Sequence, residues 1–138
     1  MSTDVIHIAK ASLRDHEGLR HFPYQCTAGR TTIGYGRNLD DKGLTLAECE
    51  VLLDNDVGEC IQDLSRYPFW NALNDRRQAA LIDLRYCLGP FRFRAFKKML
   101  AAIEAGDYGE AAAQILDSKF AQQTGRRAKN LATMMAEG

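Results

Sequence analysis

A short β-type segment near the N-terminus constrains the fold most, because helical patterns dominate the rest of the chain. Residues 22–35 are rich in aromatic and β-branched side chains, and Ala28, Gly29 and Gly34 interrupt them. This composition predicts a ribbon of two or three strands with a turn at residues 28–30. The β structure of the chain is therefore expected to be small and confined to this segment.

A helix is predicted before the ribbon and a loop after it. Ser2 or Thr3 can cap a first helix over about residues 5–16, because a hydroxyl oxygen accepts a bond from a free amide of the first turn. Gly18 is expected to end that helix, since glycine takes positive φ readily. The polar residues 38–43 after the ribbon predict a loop.

A long helix is predicted to follow this loop. Thr45 and Glu48 have the spacing of a capping box, in which each side chain bonds the backbone amide of the other residue. Apolar residues at helical spacing continue to about Leu64, and the sequence Tyr-Pro-Phe-Trp at residues 67–70 breaks the pattern. Further helices are predicted at about residues 75–88, 93–105 and 107–119, with a last one from about residue 124.

These elements predict a mostly α protein of the α+β class with two lobes. With 138 residues the chain is expected to form a single domain. The small α+β lobe is placed at about residues 15–60, and the helical lobe at about residues 61–138 together with the N-terminal helix. A cleft between two lobes is the usual place for a long substrate.

Charge and hydropathy exclude several classes of partner. The chain has 18 basic and 18 acidic residues, so no overall field attracts nucleic acid or a membrane. No apolar run is long enough to span a bilayer, and the N-terminus lacks the charged and apolar regions of a signal peptide. We therefore expect a protein that is synthesised in the cytoplasm, with no nucleic-acid partner and no membrane span. We also expect it to be a monomer.

The four cysteines do not suggest a metal site. Cys26, Cys49, Cys60 and Cys87 form no Cys-x-x-Cys pair, which argues against structural zinc. Cys49 and Cys60 share one predicted helix, where eleven residues separate them by about 16 Å, too far for a disulfide. All four are expected to be reduced thiols, three of them packed in the interior. We expect no metal and no other cofactor.

Glu17 is the first catalytic candidate. It lies at the end of the first predicted helix, where the helix dipole disfavours an anion, so a carboxylate there suggests a function. A carboxyl held against apolar surface has a raised pKa and can carry a proton near neutral pH. Leu13, Leu19 and the aromatic ribbon could supply that surface.

Three short stretches around Glu17 resemble the active-site segment of a known family. Residues 17–20, 24–27 and 32–36 read Glu-Gly-Leu-Arg, Tyr-Gln-Cys-Thr and Thr-Ile-Gly-Tyr-Gly. This pattern is similar to that of the phage-type lysozymes, glycoside hydrolase family 24, which cut the sugar backbone of bacterial peptidoglycan. That family has a Glu, an acidic residue nine positions later and a Thr six positions beyond.

The resemblance implies a muramidase that cleaves the β-1,4 bond between N-acetylmuramic acid and N-acetylglucosamine. Glu17 would be the general acid, and Thr32 would help to hold the attacking water. Cys26 stands where the family usually has Asp, so its thiolate would position that water. Gly34 and Gly36 would let backbone and sugar approach closely.

Cys26 leaves other mechanisms open. The thiol is mostly neutral at pH 7 unless a nearby arginine, such as Arg30, Arg37 or Arg127, lowers its pKa. The chain could instead be a lytic transglycosylase with Glu17 as its only strong catalyst, or an impaired enzyme that binds glycan. A thiol hydrolase centred on Cys26 has less support, because no histidine is placed in the sequence to activate it.

Other positions match the family more loosely. Arg127 matches an arginine that reaches back to the catalytic Glu. Arg37 and Asp56 match a structural pair in which the family has His and Asp. Tyr86 and Gln114 match positions that line the sugar cleft, and core packing is the alternative for both.

The resemblance also implies a bacteriolytic role of the endolysin type, with peptidoglycan as the partner. The enzyme would act on the periplasmic cell wall. Without a signal peptide it would need a holin or a secretion machine to reach that wall.

Overall fold

The computed structural model describes residues 2–138, which contain eight α-helices and one three-stranded antiparallel sheet. The strands are β1 Arg20–Gln25, β2 Thr31–Gly34 and β3 Arg37–Asn38. The α-helices are α1 Thr3–Glu17, α2 Leu39–Lys42, α3 Leu46–Leu64, α4 Asp75–Arg94, α5 Lys97–Glu104, α6 Tyr108–Leu116, α7 Lys119–Thr124 and α8 Arg126–Glu137. The mostly α, α+β class predicted from the sequence is confirmed.

The chain divides into two compact units. The first ends at Glu50 and the second is Val51–Gly138, so the boundary falls inside α3. The sequence placed the boundary near residue 60 and grouped the N-terminal helix with the helical lobe. That grouping stays a prediction.

The ends of α1 are those that the sequence predicted. The Ser2 hydroxyl accepts a hydrogen bond from the Val5 amide at 3.4 Å, and Gly18 follows the last residue with φ 72°. This local chemistry places Glu17 at the C-terminal end of the helix, directly before the first strand.

The ribbon is a meander with a tight turn after β1. Tyr24 pairs with Thr32 across β1 and β2. The Cys26 amide donates to the Arg30 carbonyl at 2.9 Å, and the Gly29 amide donates to the Cys26 carbonyl at 2.9 Å. These bonds confirm the turn expected at residues 28–30.

The prediction of a loop at residues 38–43 was wrong, because a short helix, α2, lies there. Asn38 caps α2 by accepting a hydrogen bond from the Asp41 amide at 3.1 Å, and Gly43 ends the helix with φ 60°. The Asp40 carboxylate accepts from the Thr31 amide at 2.8 Å, which ties α2 to the sheet. A helix of one turn has too few residues to show an apolar period.

The capping box at the start of α3 is confirmed. The Thr45 amide donates to Glu48 Oε1 at 2.9 Å, and the Glu48 amide donates to the Thr45 hydroxyl at 3.2 Å. Both side chains lie in the first unit, so the start of the long helix is fixed there.

The second unit contains the apolar core. Its largest fully buried side chains come from five helices, α3, α4, α5, α6 and α8: Leu64, Leu81, Leu84, Phe93, Met99, Ile103, Ile115 and Met135. Helix α4 is broken at Gly89, which has φ 80° and ψ 170°. The helix end predicted near Leu88 is therefore present, and a further short helical segment, Pro90–Arg94, follows the break.

The helices after Gly89 are shorter than predicted. Helix α5 begins at Lys97 rather than near residue 93. The helix α7 was missed, although Ser118 caps it by accepting from the Ala121 amide at 3.1 Å. Gly125, with φ 55°, separates α7 from α8.

Among residues 2–138, no helix combines the length and apolar character needed to cross a bilayer.

Candidate active site

The Glu17 carboxylate lies against the turn between β2 and β3. A methyl group built on Gly36 would come within 2.6 Å of Glu17 Oε2 and 2.9 Å of Cδ. Gly36 also has φ 73°, a backbone conformation that residues other than glycine rarely adopt. Both conditions require glycine at this position, so the Gly-Tyr-Gly turn provides the surface on which the carboxylate rests.

Two leucines expected to enclose Glu17 do not do so. Leu13 is 53% exposed and Leu19 is 49% exposed, and Glu17 itself is exposed. The carboxyl of Glu17 is thus held by the β2–β3 turn rather than by an apolar wall of these two side chains.

Cys26 and Thr32 come together on the sheet. Cys26 directly follows β1, and Thr32 on β2 is the only buried residue among residues 2–50. Its hydroxyl donates to the Arg30 carbonyl at 2.9 Å. Across the two strands Tyr24 pairs with Thr32 and Gln25 pairs with Thr31, and Cys26 is the next residue of the chain. The structure therefore brings the two residues that the sequence singled out to the same end of the β1–β2 pair.

The turn after β1 lowers the pKa of the Cys26 thiol. The Arg30 backbone contributes most by hydrogen bonding to the sulfur, the Ala28 backbone contributes next, and the Thr32 hydroxyl adds less, while partial burial opposes them. Backbone donors stabilise an anion in this way without any formal charge.

No arginine side chain needs to be invoked for the Cys26 thiolate. The sequence suggested the guanidinium of Arg30, Arg37 or Arg127. The Arg30 guanidinium instead lies 3.6 Å from Asp41 Oδ1. What Arg30 supplies to the thiol is its backbone amide, which sequence reasoning could not place.

The Arg37–Asp56 pair predicted from the sequence is corrected, because Arg37 pairs with Glu48. Its two terminal nitrogens bond the two carboxylate oxygens of Glu48, with Nη1 to Oε1 at 2.9 Å, and Nη1 also donates to the Gly43 carbonyl at 3.0 Å. Glu48 lies in the first turn of α3, close to Gly43. Asp56 lies eight residues further along the same helix, about 12 Å away along the axis.

Arg37 changes the ionisation of Glu48. The hydrogen bonds from Arg37, followed by the bond from the Thr45 amide, lower the pKa of the Glu48 carboxyl from 4.5 to about 2. Because the pKa of Glu48 is lower in the folded state than in the unfolded chain, the ionised carboxylate stabilises the fold at any pH above about 4.5. This stabilisation is lost as the pH falls from about 4.5 to about 2.

The Arg37–Glu48 pair gives a stability prediction. Glu48→Gln keeps the capping box and removes the charge, so we expect a lower melting temperature than wild type at pH 7. The difference should shrink between pH 4.5 and pH 2, and Glu50→Gln, two residues further along, should show no such difference. Calorimetry across this pH range would contradict the prediction if the difference were independent of pH.

The Arg127 side chain lies in the second unit, where it binds Asp83. Its Nε donates to Asp83 Oδ1 at 2.7 Å, and Nη2 lies 3.5 Å from the Asp83 carbonyl oxygen. The hydrogen bond to Asp83 raises the pKa of Arg127 further. Asp83 was missed as a partner, because nothing in the local sequence links it to a residue 44 positions later. The predicted contact of Arg127 with Glu17 stays a prediction.

Tyr86 and Gln114 line two different cavities of the second unit. Tyr86 shares a cavity of about 450 Å³ with Arg127, Asp83 and four apolar residues of α3 and α4. It is 46% exposed, so it is not a core residue. Gln114 lines a cavity of about 490 Å³ and donates to Glu110 at 2.7 Å. Their shared role at a sugar cleft stays a prediction.

A nearly buried ion pair in the second unit was also missed. Arg85 Nε donates to Asp63 Oδ2 at 2.8 Å, and Arg94 lies 3.5 Å from Asp63 Oδ1. Arg85 first, and Arg94 less, lower the pKa of Asp63. The sequence holds one signal for this pair, because Arg85 falls on the helix face that carries the buried Leu81, Leu84 and Leu88.

The cysteines are all free, and fewer are packed than expected. Cys60 is buried, Cys26 is half-buried, and Cys49 and Cys87 are exposed. Within residues 2–138, no group of three or more His, Cys, Asp or Glu side chains is placed to hold a metal ion.

Comparison with known proteins identifies the family. The profile of the Phage lysozyme family matches residues 14–135, a range that includes Glu17, Cys26, Thr32 and Arg127. The chain belongs to the phage lysozyme family. Its mostly α fold with a small antiparallel sheet agrees with the lysozyme-like architecture expected from the sequence.

Two relatives of this chain differ greatly in length. The chain is 30% identical over 129 residues to an endolysin of Acyrthosiphon pisum secondary endosymbiont phage 1, and the alignment covers 88% of this chain and 86% of the endolysin. It is 28% identical over 155 residues to the pre-baseplate central spike protein Gp5 of Enterobacteria phage T4. That alignment covers 91% of this chain and 27% of the spike protein.

Proposed function

We propose that this chain hydrolyses the β-1,4 bond between N-acetylmuramic acid and N-acetylglucosamine in peptidoglycan. Membership of the phage lysozyme family supports a lytic enzyme that acts on peptidoglycan. The observation that carries the proposal is the position of Glu17, whose carboxylate rests on Gly36 in the same unit as the Cys26 and Thr32 pair.

Glu17 is the general acid in this proposal. Its proton passes to the glycosidic oxygen as the bond from that oxygen to the anomeric carbon breaks, and Glu17 is left as a carboxylate. A water molecule attacks the anomeric carbon from the opposite face of the sugar. The products are two shorter glycan chains, one of which ends in a reducing N-acetylmuramic acid.

Cys26 and Thr32 position and activate the attacking water. The Cys26 thiolate accepts the proton that the water loses, and the Thr32 hydroxyl holds the water by a hydrogen bond. The backbone amides that lower the pKa of the thiol increase the thiolate fraction near neutral pH, which this role requires. Solvent exchange then returns the proton from Cys26 and restores the acid form of Glu17.

Five further residues support binding in this proposal. Gly34 and Gly36 give the glycan close access to the sheet backbone, while Arg127, Tyr86 and Gln114 contact the substrate or the acid. The enzyme acts as a monomer on the periplasmic cell wall. It reaches that wall through a phage holin or a secretion machine.

One observation favours a second reaction. Position 26 holds a thiol rather than a carboxylate, and a lytic transglycosylase needs only one strong acid–base group. In that reaction Glu17 would act alone, and a hydroxyl of the muramic acid would attack in place of water. The product would be an anhydro-muramic acid end.

The released products distinguish the two reactions. Purified peptidoglycan should be digested with the wild-type protein and the muropeptides identified by mass spectrometry. Reducing muramic acid ends are expected from hydrolysis. Anhydro-muramic ends would replace the proposal with transglycosylation, and release of no muropeptide would contradict both.

Cys26 gives a prediction of its own. Cys26→Ser should lower kcat/KM by about a hundredfold, the usual loss when a base is removed. Cys26→Asp should stay active and extend activity to lower pH, because the ordinary pKa of an aspartate carboxyl lies well below that of a thiol. The measurement is the pH profile of peptidoglycan hydrolysis, with Cys49→Ser as the control for an exposed thiol. Full activity of Cys26→Ser would exclude the thiol from the reaction.

A further inference from the structure

The second unit has a cavity with an apolar floor that the proposed reaction does not fully explain. It has a volume of about 490 Å³ and lies at the end of α4, along α5 and beside α6 and α7. Its apolar lining, which we call the floor, consists of five residues: Leu88, Ala95, Phe96, Met99 and Phe120. Met99 and Phe120 are buried, so the floor is part of the packed core.

Positive charge surrounds this cavity. Four cations line it and form what we call the cationic rim: Arg92, Lys97, Lys98 and Lys119. Asp117 is the only acidic side chain in the lining. Within residues 2–138, none of the four rim cations belongs to an ion pair. Since the whole chain has equal numbers of acidic and basic residues, the rim is a local concentration of charge.

An exposed aromatic residue is the chain neighbour of one rim cation. Phe91 is 81% exposed and directly precedes Arg92 in the short helical segment between Gly89 and α5. The Arg94 guanidinium lies 5.7 Å from the centroid of its ring. An exposed aromatic side chain next to several cations is the pattern of proteins that bind the surface of an anionic membrane.

We propose that the cationic rim and Phe91 form a docking surface for an anionic phospholipid bilayer. The rim cations contact lipid phosphates, and the Phe91 ring enters the interface between headgroups and acyl chains. The absence of an overall positive charge does not oppose this binding, because attraction to a surface decays within about 10 Å and depends on the nearest charges. This inference goes beyond the proposed reaction and does not depend on it.

Vesicle binding tests the docking surface directly. The full chain should be sedimented with vesicles of phosphatidylcholine containing phosphatidylglycerol, and with vesicles of phosphatidylcholine alone. We expect binding to the anionic vesicles only, with weaker binding as NaCl is raised. Lys97→Gln/Lys98→Gln should lower the partition coefficient roughly thirtyfold, and Phe91→Ser should lower it about tenfold.

A matched variant separates the local rim from overall charge. Arg126→Gln/Lys129→Gln removes two exposed cations elsewhere in the second unit and should change the partition coefficient little. Thermal unfolding by circular dichroism should be the same for all variants, so that a loss of binding is not a loss of folding.

Two outcomes would overturn the proposal. The wild type could fail to bind anionic vesicles, or Lys97→Gln/Lys98→Gln could bind as well as the control variant. Because no glycan is cleaved in this assay, its failure is distinct from a failure of the proposed reaction.

Discussion

Gly36→Ala is expected to lower kcat/KM on peptidoglycan by at least about a hundredfold while the protein remains folded. A methyl group at position 36 would lie 2.6 Å from Glu17 Oε2, so the carboxylate must move from its place on the turn. A displacement of about 1 Å in a reacting group can cost about a hundredfold in rate. Turbidity clearing of purified cell walls measures the loss.

A second glycine separates displacement of Glu17 from backbone strain. Gly106 has φ 75°, close to that of Gly36, but a methyl group there would meet no atom within 4 Å. Both alanine variants should therefore lose a similar amount of stability, about 1–2 kcal/mol. Only Gly36→Ala should lose activity. Equal activity of the two variants would mean that the contact of the Glu17 carboxylate with Gly36 does not matter for the reaction.

The largest loss of stability is expected from Asp63→Asn. This change leaves the Arg85 guanidinium nearly buried without its strongest anion, which costs about 3 kcal/mol. For a chain of this length the melting temperature should fall by about 10 °C. Differential scanning calorimetry at pH 7 measures this change.

Two controls test whether the loss comes from the unpaired Arg85 charge. Asp54→Asn, at an exposed position on the same helix, should change the free energy of unfolding by less than about 0.5 kcal/mol. The double variant Asp63→Asn/Arg85→Met removes both charges and should recover much of the stability. If the double variant were less stable than Asp63→Asn, the pair would not be the source of the loss.

Local signals in the sequence predicted the elements that position the candidate site. The hydroxyl at Ser2 and the glycine at position 18 set the two ends of α1, and Thr45 with Glu48 set the start of α3. Each of these signals acts within four residues, so the residues adjacent in the sequence are enough to identify it. The same holds for the turn after β1.

Other features depend on contacts that the sequence alone does not reveal. Arg37 binds Glu48 rather than Asp56 because α2 brings Gly43 and the first turn of α3 to the guanidinium. The one-turn helix α2 itself was missed, because a single turn carries no apolar period. The donors to the Cys26 thiol are backbone amides of the turn, so no side chain in the sequence marks them.

Long-range ion pairs form the last group of features that were missed. Arg127 binds Asp83, and Arg85 binds Asp63, at separations of 44 and 22 residues. Periodicity indicates which helix face is buried but does not say which charged side chain will meet another. Such pairs follow from the packing of helices, which is decided over the whole second unit.

The most direct test of the central claim is the rate at which Glu17→Gln releases muropeptides from purified peptidoglycan. The amide is nearly the same size as the carboxyl but cannot protonate a leaving oxygen. We expect the rate to fall by about a hundredfold or more, with an unchanged melting temperature and with Glu50→Gln as active as the wild type. A Glu17→Gln protein that releases muropeptides at the wild-type rate would contradict the assignment of Glu17 as the general acid.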